Sequence, residues 1–167
     1  ISIYKLNWMN GQYIRSMDEE ELFKRVLPYI EKYPLNEHSH EKLIQIMNSV
    51  KEPITVLSEI TDAVEYYFGD DVEYNLEALD MIHHENAKEV LEKALIMLNK
   101  VNYENHDDIV EKIMDFRKIF EGIKPKIVLW IVRAALTGRL RGSELSAIIS
   151  ILGKERVIKR IEKALES

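Results

Sequence analysis

Apolar residues recur at intervals of three and four along most of this chain, a spacing typical of helices that bury one face. The most regular stretch holds this spacing for about four turns: Ala87, Val90, Leu91, Ala94, Leu95, Leu98 and Val101. Only six Gly and four Pro occur in 167 residues, too few for an all-β protein with many tight turns. The sequence therefore predicts an all-α fold, a helical bundle or cage of about eight to nine helices.

Capping and turn residues mark several helix ends. Asp18 precedes three glutamates with the spacing of a capping box, which predicts a helix that begins there. Thr55 is placed to cap a later helix over 55–68. The β-branched run 126–137 has the composition of a buried strand, but no second strand is available to pair with it. We therefore predict a buried helix over that run.

Charge is distributed unevenly along the chain. Residues 1–116 carry 11 basic and 24 acidic side chains, whereas residues 117–167 carry 12 basic and 5 acidic ones. A basic final third on an acidic body suits a protein with one surface for a polyanion. The alternative is that charge simply varies along solvated helix faces.

The residue inventory excludes several kinds of chemistry. The absence of Cys rules out disulfides, a thiol nucleophile, a Cys-based zinc site and an iron–sulfur cluster. His83-His84-Glu85 lacks the i, i+4 pair of a zinc-binding helix, and no phosphate-binding glycine loop or nucleophile elbow occurs. No apolar run approaches the length of a membrane helix. We predict no metal site, no catalytic residue and no membrane partner for this chain, which begins with Ile1 and is expected to be part of a longer protein.

Two motifs at opposite ends of the chain remain to be explained. The first is K-L-N-W-M-N-G-Q-Y-I-R over 5–15, ahead of the first predicted helix. The second is R-A-A-L-T-G over 133–138, followed by L-G-K-E-R over 152–156 and R-I-E-K-A-L over 160–165. Together they resemble the C-terminal part of bacterial glutamyl-tRNA synthetases, in the family's order and at about its separation.

The resemblance implies a domain arrangement and a set of partners. Residues 1–18 resemble the end of a segment that contacts the tRNA stem, 19–66 a first anticodon-binding subdomain and 67–167 a second. The implied partners are glutamate tRNA and a catalytic domain of the same polypeptide, which would use ATP and Mg to attach glutamate. This piece itself is expected to hold no cofactor, to be inactive alone, and to belong to a monomeric cytoplasmic enzyme.

The resemblance also implies roles for individual residues. Arg133 matches the arginine that contacts the first anticodon base, and Leu145 matches a loop-end leucine that touches anticodon bases. Gly142 and Ser143 match the loop in position. Pro53 falls where members that charge only glutamate tRNA generally place an arginine for the third base. Its presence suggests that glutamine tRNA is a second substrate.

Residue chemistry adds further candidates. Trp130 lies three residues before Arg133, so a ring and a guanidinium would share one helix face, although a core position is the alternative for Trp130. Five cations are expected beside RNA phosphates: Lys5, Arg117, Lys124, Arg139 and Arg141. The competing hypothesis is a helical protein–protein interaction module without an RNA role, for which the 87–101 stripe and the acidic first two-thirds are the evidence.

Overall fold

The computed structural model describes residues 2–167, apart from the side chains of Tyr4, Leu6, Asn7 and Trp8. Within these residues it holds nine α-helices, three short 3-10 turns and no strand, so the all-α prediction is confirmed. The chain divides into two compact units, Ile1–Phe68 and Gly69–Ser167. The functional boundaries expected after residues 18 and 66 stay predictions.

Four helices and the three 3-10 turns build the first unit. The helices are α1 (Ile3–Ser16), α2 (Glu19–Ile30), α3 (His40–Val50) and α4 (Ile60–Ala63), and the turns are Leu35–Glu37, Leu57–Glu59 and Glu65–Tyr67. Asp18 caps α2 by accepting the backbone N–H groups of Glu20 and Glu21, as its spacing predicted. The core is formed by Leu22, Val26, Ile46, Met47, Ile60 and Tyr67.

Two local predictions for this unit are wrong. Residues 5–15 belong to a helix, because the Ser2 hydroxyl accepts the Lys5 N–H and so caps α1. Residues 55–68 do not form one helix. The Glu59 carboxylate accepts hydrogen bonds from both the Thr55 hydroxyl and the Val56 N–H, so Glu59 and not Thr55 provides the capping side chain. The segment forms short 3-10 and α-helical pieces in place of one helix.

The second unit contains α5 (Leu76–Ile82), α6 (Ala87–Lys100), α7 (His106–Phe116), α8 (Pro125–Thr137) and α9 (Leu145–Leu165). The predicted buried helix is α8, which packs against α5, α6 and α9 and buries most of its C-terminal half. Gly153 lies within α9 at φ 79°, and the helix is kinked there.

The regular stripe of α6 faces the core. Its side chains Val90, Leu91, Ala94 and Leu98 are fully buried, and α6 packs along α9. The stripe therefore offers no groove to a partner helix. Across residues 2–167, no helix is both long enough and apolar enough to cross a membrane.

Candidate nucleic-acid interface

The C-terminal end of α8 and its connection to α9, residues 133–145, bring most of the predicted anticodon-binding residues together. We call this surface the α8–α9 corner. Helix α8 ends at Gly138, which adopts φ 75° and donates its N–H to the Ala134 carbonyl oxygen. The Thr137 hydroxyl lies 2.9 Å from the Arg133 carbonyl oxygen and accepts the Arg139 N–H at 3.1 Å. Thr137 and Gly138 therefore fix the backbone conformation at the C-terminal end of α8.

The side chain of Arg133 connects the two sides of the α8–α9 corner. It is half-buried, and Nη1 donates to the Ser143 carbonyl oxygen at 2.5 Å. A guanidinium drawn out of water needs such a partner, since an unpaired buried charge costs several kcal/mol. The bond connects the last turns of α8 to the residues that lead into α9. It places the guanidinium beside the loop that the resemblance assigned to the anticodon.

The loop residues divide into buried and exposed positions. Ser143 and Leu145 are 4% and 8% exposed, so Leu145 packs as the first residue of α9. Gly142 and Arg141 are exposed, and Arg139 is partly exposed. The surface of the corner therefore includes Arg139, Arg141 and the Gly142 backbone. Ser143 is buried, and its carbonyl oxygen accepts the hydrogen bond from Arg133.

Trp130 lies one turn before Arg133 and is half-buried, not part of the closed core. The Lys126 Nζ is 4.5 Å from the centre of the Trp130 indole ring, a cation–π distance. Because residues three and four apart share a helix face, Lys126, Trp130 and Arg133 form a row of cation, ring and cation along α8.

The other two predicted phosphate contacts of this unit, Lys124 and Arg117, lie outside the corner. Lys124 is the N-cap of α8, about 14 Å along the helix axis from Arg133 at 1.5 Å per residue. Arg117 is the C-cap of α7 and is partly exposed. From Arg117 to Ser143 the chain carries seven basic side chains and one acidic one. The chain is therefore strongly basic before, within and after α8.

The second motif also contains a residue that sequence reasoning missed. Arg160 is 2% exposed, and its guanidinium donates to the carbonyl oxygens of Leu136, Gly69 and Asp70 at 2.7, 2.8 and 3.3 Å. It therefore holds the end of α8 against the start of the unit. The sequence signal that indicates its burial is its position beside the apolar residues Val157 and Ile161 in the final helix.

Two predicted site residues lie in the first unit. Pro53 is exposed, and the neighbouring Glu52 carbonyl oxygen accepts the Arg15 Nη1 at 2.8 Å. Lys5 is exposed in the first turn of α1. Among the residues that the structure describes, no three His, Asp or Glu side chains converge as metal ligands.

Comparison with known proteins identifies the family. The family model described as "Anticodon binding domain" matches residues 21–165. A glutamate–tRNA ligase of Natranaerobius thermophilus is 31% identical over 96% of this chain, and one of Desulforamulus reducens is 34% identical over 98%. The chain spans about a third of the length of these relatives, 34% and 35%.

A solved structure shares the fold. The glutamate tRNA ligase of Elizabethkingia meningosepticum superimposes with a TM-score of 0.82 over 99% of this chain and 32% of its own, at 22% identity. None of the comparisons supports the alternative of a protein-interaction module. The resemblance read from the two terminal motifs is confirmed, and the chain belongs to the anticodon-binding domain family.

Proposed function

We propose that this chain reads the anticodon of glutamate tRNA for a glutamate–tRNA ligase. It would hold the tRNA while a catalytic domain elsewhere in the same polypeptide, with ATP and Mg, attaches glutamate in the cytoplasm. The chain would act within a monomeric enzyme and would bind RNA without a cofactor of its own. The family match and the names of the relatives support the proposal.

The α8–α9 corner is the observation that carries this function. An anticodon loop is single-stranded, so its bases are recognised by stacking and by hydrogen bonds to their exposed edges. Arg133 supplies a planar set of donors that the Ser143 carbonyl oxygen orients. Exposed Arg141 and partly exposed Arg139 lie within the same loop, where they can neutralise the neighbouring phosphates.

We expect Arg133→Ala to weaken binding of an anticodon stem-loop by about 1–3 kcal/mol, the usual cost of losing a donor pair to a base. The loss should be largest for the cognate anticodon and small for RNAs altered at the base that Arg133 contacts. Fluorescence anisotropy with a set of base-substituted stem-loops measures this.

Arg141→Ala is the matched control, because it removes the same charge from an exposed position of the same α8–α9 corner. It should weaken every anticodon similarly and reduce the salt dependence of log K by about one. If Arg133→Ala also weakens all anticodons equally, or loses binding only in proportion to unfolded protein, Arg133 is a phosphate contact or a structural residue and not a base reader.

Pro53 bears on which tRNA is accepted. It offers no side-chain donor, and the partly exposed Lys51 is the nearest cation in sequence. A lysine is a mobile point charge and should discriminate less sharply than a guanidinium. We propose that the chain accepts glutamine tRNA as well as glutamate tRNA.

This proposal predicts similar affinities of the chain for glutamate and glutamine tRNA, within about fivefold, equivalent to 1 kcal/mol. Pro53→Arg should widen that gap about tenfold by adding a donor pair, and Pro53→Ala should leave it unchanged. Binding of both purified tRNAs is the measurement. Strong rejection of glutamine tRNA by the unaltered chain would refute the proposal.

A further inference from the structure

The first motif leaves two side chains, Asn10 and Tyr13, without a role so far. Both line a groove of about 280 Å³ in the first unit, between α1, α2 and residues 55–57. Helix α2 contributes Arg25 and Tyr29 to the same groove. We call this site the tyrosine groove.

Both tyrosines of the groove remain accessible. Tyr13 is 59% exposed and Tyr29 is 39% exposed, and neither phenol hydroxyl has a hydrogen-bond partner among the described residues. The buried Ile14 and the partly exposed Met17 also line the groove. Exposed rings with few rotatable bonds bind flat ligands at low entropic cost.

Charges at the groove are locally balanced. The Arg25 Nε is 3.0 Å from the Glu21 carboxylate. That hydrogen bond, followed by the nearby Tyr13 phenol, raises the pKa of Arg25 above its ordinary value. Arg15, on the same helix as Tyr13, lies 3.9 Å from the Glu52 carboxylate. The groove therefore combines rings, an amide and an oriented guanidinium without the excess positive charge that a phosphate site needs.

The groove adjoins the segment proposed to read the third anticodon base. Arg15 fastens that segment to α1 through the Glu52 carbonyl oxygen. Gly11 makes room for this contact, because a Cβ there would lie 2.9 Å from the Arg15 Nη1. Thr55 lines the groove two residues after Pro53, which places the two sites within about 7 Å along the chain.

We propose that the tyrosine groove binds the base of a second unpaired nucleotide, next to the one at Pro53. The base would stack on Tyr13, the more exposed of the two rings, with the Asn10 amide and the Arg25 guanidinium at its edge. Base–aromatic stacking tolerates any base, so the groove would contribute affinity more than specificity. This inference rests on the proposed function and extends it to a site in α1 and α2.

The test places 2-aminopurine at each loop position of an anticodon stem-loop in turn and records fluorescence on binding to the whole chain. We expect quenching at the position that enters the groove, its loss in Tyr13→Leu, and its retention in Tyr13→Phe. Tyr13→Leu should lower affinity about tenfold while leaving the slope of log K against log salt unchanged. Thermal unfolding confirms that both variants fold.

The outcomes separate this inference from the proposed function. If the chain binds RNA and Arg133→Ala weakens binding, but Tyr13→Leu matches wild type in affinity and at every labelled position, the tyrosine groove is not a base site and the proposed function stands. If the chain binds no stem-loop RNA, both fail together. A Tyr13→Leu loss that includes a smaller salt slope would show a phosphate contact and overturn the stacking assignment.

Discussion

Arg160→Leu should lower the free energy of unfolding of the second unit by about 3–5 kcal/mol, because three carbonyl oxygens lose a charged donor and each buried polar group left unpaired costs about 1–3 kcal/mol. The variant keeps the apolar stem but withdraws the donors that serve the carbonyl oxygens of Leu136, Gly69 and Asp70. Buried carbonyl groups left without donors are costly because water cannot replace the lost bonds.

Urea unfolding followed by Trp130 fluorescence measures this loss. Trp8, the other of the two tryptophans, is replaced by Phe so that the signal reports on the second unit. Lys163→Leu is the matched control, because Lys163 lies on the same helix, its Nζ is 2.9 Å from the Asp71 carboxylate, and the two side chains are 50% and 68% exposed. An exposed ion pair of that kind contributes at most about 1 kcal/mol. Equal losses in the two variants would contradict the role assigned to Arg160.

Gly138→Ala should destabilise the second unit by about 2–4 kcal/mol, more than the left-handed conformation alone explains. Gly138 adopts φ 75°, and a Cβ there would lie 1.9 Å from the Glu73 carbonyl oxygen. Its own carbonyl oxygen also accepts the Asn75 N–H at 2.9 Å, so the two backbones are held in contact. The segment 73–75 must move before any side chain fits at residue 138.

Gly122 offers a closely matched comparison. It has φ 76°, but a Cβ added there would meet nothing within 4 Å, so Gly122→Ala incurs only the conformational cost of about 1–2 kcal/mol. Chemical denaturation of both variants separates close approach from backbone strain. If Gly138→Ala lowers the free energy of unfolding no more than Gly122→Ala does, the close approach to residue 73 does not contribute to the cost of the substitution.

Arg160 and Gly138 show which structural contacts the sequence does not reveal. Helical periodicity predicts α6, whereas α8 is predicted as a helix because no second strand is available to pair with its β-branched run. Arg160 and Gly138 instead act through backbone groups far away in the chain, at residues 69–75. No local sequence pattern encodes such contacts. The motif that contains both residues therefore indicates a function, but the sequence does not reveal that these two residues also stabilise the fold.

The first unit illustrates the same limit differently. Residues 5–15 lack a regular apolar stripe, so their helix is not evident from periodicity, although the Ser2 cap is a usable signal. For 55–68 the apolar spacing predicts one helix, but the Glu59 side chain competes for the first N–H groups and the helix breaks. Arg133 follows an apolar run, where a guanidinium needs a partner, but the sequence does not specify that the Ser143 carbonyl oxygen accepts from it.

The most direct test of anticodon binding is the salt dependence of the chain's affinity for glutamate tRNA. Up to five cations are assigned to phosphates, so log K should fall linearly with log salt at a slope of about −4, and Arg139→Ala or Arg141→Ala should each reduce that slope by about one. A flat salt dependence, or no binding at low salt, would contradict the account.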